Sequence, residues 1–370
     1  MLERSNLIMR LLRVSVILVA GLLLTGCASI VADKMVEPPK YVSEMLVEPM
    51  LSTLNDPVPY LVNHRFEEIP SLGTVTEMLP TRIQWQFTVD EVEQSISVTA
   101  GADPNVEHTS LPERRANGRG TVIVLHGHSM NRQLIFLWGA MMADAGFSVL
   151  SLDLPGHGDS PLPLTHFGLK ASEQLNALRP LLSQQSLPPP YILVGVSLGA
   201  TAAIRAAMDD PEWHAVIAFE PFDDLRGVLD AGVENTSAPI RWMMHRGTRD
   251  RVMQKIASRL DVDLSELQLR PTHEYPVPTL VLHSQYDDVV PLAQSQRIAA
   301  VSPAITLWQY RDGGGHETFP TPLWRHCRPV MGWLNTTLGE EASNLPACDR
   351  IEQAADTVHL DTTPLERIDH

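Results

Sequence analysis

The stretch YILVGVSLGATAAIRAA, residues 191–207, decides how the chain is read. Tyr191 to Val194 are apolar or β-favouring, as in a buried strand. Ala200 to Ala207 are mostly alanine with isoleucine, as in a packed helix. Between them lies Gly195-Val196-Ser197-Leu198-Gly199. A serine between two glycines, set where a strand turns into a helix, predicts a sharp turn with an exposed hydroxyl. The reason is steric: a side chain at Gly195 or Gly199 would collide with the neighbouring turns. The helix also points its first N–H groups and partial positive charge toward any developing anion. A chain this long carries roughly 0.1 such patterns by chance. Placement between strand and helix, more than the pattern alone, makes Ser197 a candidate nucleophile rather than a packing residue.

Strands and helices alternate on both sides of this stretch. Residues 121–125 (TVIVL) form a β-branched run expected of a strand buried on both faces. Runs at 147–152, 214–219, 279–283 and 305–310 read the same way, and 134–145 and 168–184 read as helices. The expected fold class is α/β, with a doubly wound, mostly parallel sheet. In such a sheet the reactive site lies beyond the carboxyl ends of the strands. Residues 82–89 alternate, with Ile83, Trp85 and Phe87 on one face, and 95–100 alternate less strongly. They predict an antiparallel pair at a sheet edge. Between 223 and 270 the alternation stops, and APIRWMMHRGTRDRVMQKIASRL reads as one or two helices, a small helical cap. Trp242, Met243 and Met244 are candidates to line a cleft beneath it. Packing on the core is the simpler reading of any one of them.

The chain has 370 residues and a formal net charge of −16, which argues against nucleic acid as a partner. It carries no glycine-rich phosphate loop, no Cys/His metal array and no internal repeat. Arg4, Arg10 and Arg13 form a basic lead, and Val14 to Leu24 is an apolar run too short to span a bilayer comfortably. The run ends in Leu24-Thr25-Gly26-Cys27. This order resembles the lipobox of bacterial lipoproteins. The resemblance implies cleavage before Cys27 and a lipid on that cysteine. Ala28 and Ser29 follow, with no aspartate, which by the same resemblance points to the outer membrane where the host has two. Export permits a disulfide between Cys327 and Cys348. Two separately buried thiols fit the sequence equally well.

A serine hydroxyl needs a base within reach, and the base needs an orienting acid. The strand in TLVLHSQYDDVVP ends at Asp287 and Asp288, and RDGGGHETF sets His316 on a glycine-rich loop after the last strand. The order Ser, Asp, His follows. With these residues in view the chain resembles the α/β-hydrolase superfamily, in its small-cap serine esterase branch. The segments that carry the likeness are VIVLHGHSM, LDLPGHGDS, GVSLGA, LVLHSQYDDVVP and GGGHE. The resemblance implies Ser197 as nucleophile, His316 as general base and Asp287 as acid. Asp288 is the near rival, and Glu220, Asp223 and Asp224 are rivals one strand earlier. It also implies an oxyanion hole from the backbone N–H groups of Leu198 and His128. His126-Gly127-His128 might be taken for a metal pair, but Met130 stands where the metallohydrolase pattern has Asp, so no metal is expected. His157 is expected to support the site from behind. No cofactor is implied.

The expected protein is an exported, lipid-anchored serine hydrolase acting on a small-molecule or lipid-like ester. Amides and thioesters are lesser alternatives. Acyl transfer on the same fold, or a disarmed binding lipoprotein, are the rival functions. The expected organisation is a signal peptide at 1–26, a tether and wrap at 27–80, a core at 81–222 and 271–339, a cap at 223–270 and a tail at 340–370. The sequence leaves the oligomeric state open.

Overall fold

The apolar runs become neighbouring strands in a computed structural model. It describes residues 27–38, 61–90, 95–103, 113, 115, 117–311, 314–316 and 318–368. The proposed signal peptide, 1–26, and residues 39–60 of the proline-rich stretch lie outside the described residues. The strands are β1 (Leu61–Arg65), β2 (Thr74–Met78), β3 (Ile83–Asp90), β4 (Ser95–Ala102), β5 (Thr121–Leu125), β6 (Ser148–Leu152), β7 (Tyr191–Val196), β8 (Ala215–Phe219), β9 (Thr279–Ser284), β10 (Ile305–Tyr310) and β11 (Arg367–Ile368). The helices are α1 (Cys27–Val36), α2 (Phe136–Asp144), α3 (Leu169–Leu182), α4 (Leu198–Asp209), α5 (Leu225–Glu234), α6 (Ala238–Met243), α7 (Arg246–Leu260), α8 (Leu292–Ala299), α9 (Leu323–Thr337) and α10 (Pro346–Asp356).

Nine strands form one sheet in the order β1-β2-β6-β5-β7-β8-β9-β10-β11. From β6 to β10 every pairing is parallel, while β1, β2 and β11 join antiparallel at the two edges. All residues of β5, β7, β8 and β9 are buried. Their unbroken apolar runs suit strands covered on both faces. One face packs on α3, α4 and the cap helices α5 and α7. The other packs on α2, α9, α10 and the β3–β4 ribbon. The mostly parallel, doubly wound sheet with a helical cap is therefore as expected.

Two expectations are corrected. The pair at 83–102 does form, with Ile83 opposite Ala102 and Asp90 opposite Ser95, but as a ribbon separate from the sheet. Its Trp85 indole donates to Asp144 Oδ2 at 2.9 Å, and Arg350 reaches the same carboxylate at 2.6 Å. The sheet edge is instead β1–β2, drawn from the stretch read as a wrap. That stretch also supplies α1, so 27–80 is only in part a tether. Ala28, Ala32 and Val36, four residues apart on one helical face, are buried in a cluster that includes Val252, Met253, Ile256 and Leu260 of α7. Arg259 closes the contact on Asp33 and Glu37. The C-terminal stretch, which the sequence leaves open between a loose tail and a packed one, packs along the domain: α10 lies on β3, and β11 pairs with β10.

Cys327 on α9 and Cys348 on α10 form a disulfide across 21 residues of sequence, with Cα atoms 5.5 Å apart. Both are fully buried. Closing a loop of this length restricts the unfolded chain and stabilises the fold by about 3 kcal/mol. Cys327→Ser/Cys348→Ser is expected to lower the free energy of unfolding by about that amount. Denaturant titration of the variant beside the wild type measures it, and equal midpoints would refute the role.

Candidate active site

Ser197 sits where β7 ends and α4 begins, with φ 52° and ψ −110°. An L-residue rarely adopts a positive φ, so the turn must be held in place by its surroundings. Two glycines allow it. A Cβ on Gly195 would fall 2.4 Å from the Gly199 carbonyl, and one on Gly199 would fall 2.3 Å from Leu125 O. The Ser197 N–H donates to Phe219 O at 2.8 Å, which pins the turn to β8. Every residue of α4 from Leu198 to Ala207 is buried, and its alanines let α3 come close. A Cβ on Gly168, at the start of α3, would lie 3.2 Å from Ala202 N.

His316 follows β10 and reaches Ser197 across 119 residues of sequence. With the proton on Nδ1, the ring donates to Asp287 Oδ2 at 2.7 Å. Nε2 is then free to accept from the Ser197 hydroxyl at 2.9 Å. The His316 side chain is 11% exposed and that of Asp287 is fully buried. Asp287 Oδ1 accepts from the Val289 and Val290 N–H groups at 2.8 and 2.7 Å. Burial raises the Asp287 pKa, but the His316 hydrogen bond and the nearby imidazoles outweigh it, so the carboxyl lies below its ordinary value.

The rival acids separate by geometry. Asp288 is exposed. Asp223 pairs with Arg297 at 2.6 Å, and Asp224 caps α5 by accepting from Arg226 N–H. Glu220, just past β8, is different. Its carboxylate oxygen lies 3.3 Å from His316 Nδ1, its side chain is fully buried, and its backbone φ is 52°. Among the described residues neither of its oxygens makes a hydrogen bond of ordinary geometry. Burial first, then the charge of Asp287, pushes its pKa well above the usual carboxylate value.

The loop after β5 lies against Ser197: a Cβ on Gly127 would be 3.8 Å from Ser197 Cβ. Leu198 N–H, in the first turn of α4, and His128 N–H make no hydrogen bond among the described residues. The His128 ring serves elsewhere, with Nε2 donating to Met35 O at 3.0 Å at the end of α1. His126 Nδ1 donates to Gly127 O at 2.8 Å and Nε2 accepts from Leu154 N–H at 3.0 Å, which ties two loops together. His157 is buried, with its ring 5.1 Å from that of His126 and 5.3 Å from that of His128. It backs the loop and does not touch Ser197.

Sequence reasoning passed over His283, the last residue but one of β9. Its ring is fully buried between Ser295 Oγ at 2.7 Å and Val290 O at 3.0 Å, and its Nε2 lies 3.3 Å from Asp287 Oδ2. A lone histidine in an apolar strand carried no motif to announce it. Of the candidate cleft residues, Met244 is buried in the core, and Trp242 is 80% exposed. A cavity of about 190 Å³ lies apart from Ser197, between β1, β2, β6 and α2. Among the described residues one group has ligand atoms close enough for a metal: Glu220, Asp287 and His316, all within 4.8 Å. These atoms include the hydrogen-bonded His316–Asp287 pair, so a cation there would have to displace the Nδ1 proton.

Burial pushes the pKa values of His126 and His283 down to about 4 from an ordinary 6.5. Below pH 6.5 the unfolded chain binds protons that the native state refuses. Their stabilising contribution is whole above pH 6.5 and is lost as pH falls toward about 4. The melting temperature is expected to drop across this interval. His126→Gln, neutral throughout, is expected to flatten the slope by at most about 1.4 kcal/mol per pH unit. Thermal unfolding at a series of pH values measures both, and parallel slopes would refute the assignment.

Comparison with known proteins follows the geometry. The family model "Alpha/beta hydrolase family" matches residues 122–328, more than half of the chain. An uncharacterized protein of Mycobacterium tuberculosis is 27% identical over 209 residues, which is 56% of this chain and 66% of that protein. The chain thus matches slightly under two thirds of that relative's length. Among solved structures, the 2,6-dihydroxy-pseudo-oxynicotine hydrolase superposes with a TM-score of 0.54 at 18% identity, covering 85% of this chain and 79% of the other. The structure of AbyA5 superposes with a TM-score of 0.52 at 13% identity, covering 90% and 83%. At such identities the likeness concerns the fold. Fold, strand-end site geometry and family model agree: the chain belongs to the alpha/beta hydrolase family.

Proposed function

We propose that the protein is an exported, lipid-anchored serine hydrolase that opens a carboxylic ester through an acyl-enzyme. One observation carries the chemistry: His316 bridges Ser197 Oγ at 2.9 Å and Asp287 Oδ2 at 2.7 Å. Ser197 Oγ attacks the ester carbonyl while Nε2 takes its proton. The Leu198 and His128 N–H groups receive the oxyanion. The tetrahedral adduct collapses, the carbon–oxygen bond to the alcohol breaks, and Nε2 returns its proton to the leaving oxygen. Water, deprotonated by the same nitrogen, then releases the acid and restores Ser197. Asp287 stabilises the imidazolium at each transfer.

Two further observations support the setting. The Cys327–Cys348 disulfide suits an oxidising compartment outside the cytoplasm. Helix α1 begins at Cys27 itself and is docked rather than loose. Met35, whose carbonyl meets the His128 ring, lies eight residues further on, about 12 Å along the helix. A lipid on Cys27 would therefore hold the site close to the bilayer, where lipid-like or envelope-derived esters are met.

Fluorophosphonate labelling tests the nucleophile. Wild type is expected to label, and Ser197→Ala to lose both the label and at least about a thousandfold in kcat/KM. Labelling that survives the change would overturn the assignment. Asp287→Asn is expected to cost at least about tenfold, and Asp288→Asn less than about threefold, against one chromogenic ester. Cys27→Ala is expected to move the protein from the detergent phase to the aqueous phase on phase partition, with turnover of a soluble ester retained. Equal partition of the two would remove the anchor.

A further inference from the structure

We infer that Glu220 is a second acid for His316, so that the imidazole is oriented by a carboxyl pair sharing one negative charge rather than by Asp287 alone. The inference rests on the proposed Ser197–His316 chemistry and goes beyond it.

Three observations converge. The first is position. Glu220 and Asp287 stand at the ends of adjacent strands β8 and β9, and the Glu220 N–H is fixed to Leu282 O at 2.9 Å. Its oxygen is 3.3 Å from the Nδ1 that Asp287 holds at 2.7 Å. The second is conformation. Glu220 pays for a φ of 52°, the same sign of strain that Ser197 carries one strand away. The third is solvation. Its carboxyl is fully buried, and among the described residues neither oxygen makes a hydrogen bond of ordinary geometry; the Ser284 backbone, which favours its charge, is outweighed by burial and by the Asp287 carboxylate. A buried carboxyl with no cation beside it stays neutral. Asp287, supplied with two backbone N–H groups and the imidazole, takes the charge. Two carboxyls this close do not both ionise near neutral pH.

The consequence concerns what happens when charges change. While Asp287 is ionised, Glu220 keeps its proton. When pH climbs through the raised Glu220 pKa, a second negative charge appears beside Nδ1 and favours the imidazolium further. When the Asp287 charge is removed, the repulsion that held the Glu220 proton is gone. Glu220 then ionises at a lower pH and accepts the Nδ1 proton in its place. Glu220 is a positioning residue: it acts on the reacting atoms through His316.

The test is a double-mutant cycle read against pH. Asp287→Asn is expected to lose about 10- to 100-fold in kcat/KM, and Asp287→Asn/Glu220→Gln about 10⁴-fold, the loss expected of an acid with no substitute. The residual activity of Asp287→Asn is expected to rise with pH as Glu220 ionises, and to be flat in the double variant. Wild type is expected to show an alkaline rise in kcat/KM as Glu220 ionises, and Glu220→Gln, with Asp287 intact, is expected to abolish it. A second readout needs no change at Glu220. The downfield proton NMR signal of His316 Nδ1–H is expected to persist in Asp287→Asn above the midpoint of its pH profile. An Asp287→Asn enzyme as inactive as the double variant at every pH, without that signal, would overturn the inference. If the double variant fails to fold, the pH profile and the signal of Asp287→Asn alone decide. Ser197→Ala assayed alongside separates the two levels. Activity surviving there topples the nucleophile and Glu220's role with it; activity lost there leaves the cycle to judge Glu220 alone.

Discussion

The first turn of α4 runs against the end of β5 with no side chain between them. A Cβ on Gly199 would lie 2.3 Å from Leu125 O and 2.7 Å from His126 O. That approach brings the loop after β5 up to Ser197, although the two are separated by about 70 residues and two strands of chain order. It also brings the loop that carries the His128 N–H beside the turn that carries the Leu198 N–H, the two donors proposed for an oxyanion. The strained φ of Ser197 is the cost of this contact, and the bond from its N–H to Phe219 O holds the strain in place. Enlarge either glycine and the helix must leave the strand. Ser197 would then lose both His316 and the donors proposed for the oxyanion.

From that fixed point the remaining groups are set by strand order. β5, β7, β8, β9 and β10 are consecutive neighbours, with β6 on the far side of β5, and each delivers one residue beyond its carboxyl end. They are His128, Ser197, Glu220, Asp287 and His316. The side chains differ in role because their solvation differs. Asp287 and Asp288 are the same chemical group one residue apart. Asp287 is buried and receives two N–H donors from the turn that follows it, while Asp288 faces water. Only a carboxylate whose charge is held by fixed dipoles, rather than by mobile water, can keep an imidazole in one orientation through a proton transfer. His283, neutral and packed under the same turn, keeps that turn from relaxing.

Much of this was legible in the sequence because the informative residues are few and local. TVIVL and YILVGV announce buried parallel strands, and Gly195 and Gly199 announce the turn. Asp287 and His316 follow β9 and β10, whose β-favouring residues mark them as strands. What escaped was set by tertiary contact. β1 and β2 are five-residue strands with mixed burial, among prolines, and owe their existence to pairing along β6. The β3–β4 pair was legible as a hairpin, but its partner was not, because Trp85 finds Asp144 across 59 residues. Glu220 was visible only as one acid among several in FEPFDD. Its distance from His316 comes from the alignment of β8 beside β9, which no local pattern encodes. The disulfide was open for the same reason: only the packing of α9 on α10 brings Cys327 to Cys348.

Helix α1 bears on how an acidic protein would meet a membrane. With a formal net charge of −16, the chain gains nothing from attraction to anionic headgroups. In the proposed function a covalent anchor on Cys27 is the means of keeping it there, and the length of chain after the anchor decides what the site can reach. Here α1 spends no length as a free tether. Its apolar face is buried beside the cap helix α7, Arg259 grips Asp33 and Glu37, and its last carbonyls, Met35 O and Val36 O, accept from the His128 ring and from Thr165 N–H. The same ten residues therefore touch both the cap helix α7 and the loop that carries His128. Loosening α1 would free both at once. In the proposed function, the segment that leads out of the lipid is thus also part of the scaffold of the site, which couples the attachment of the enzyme to the shape of its cleft.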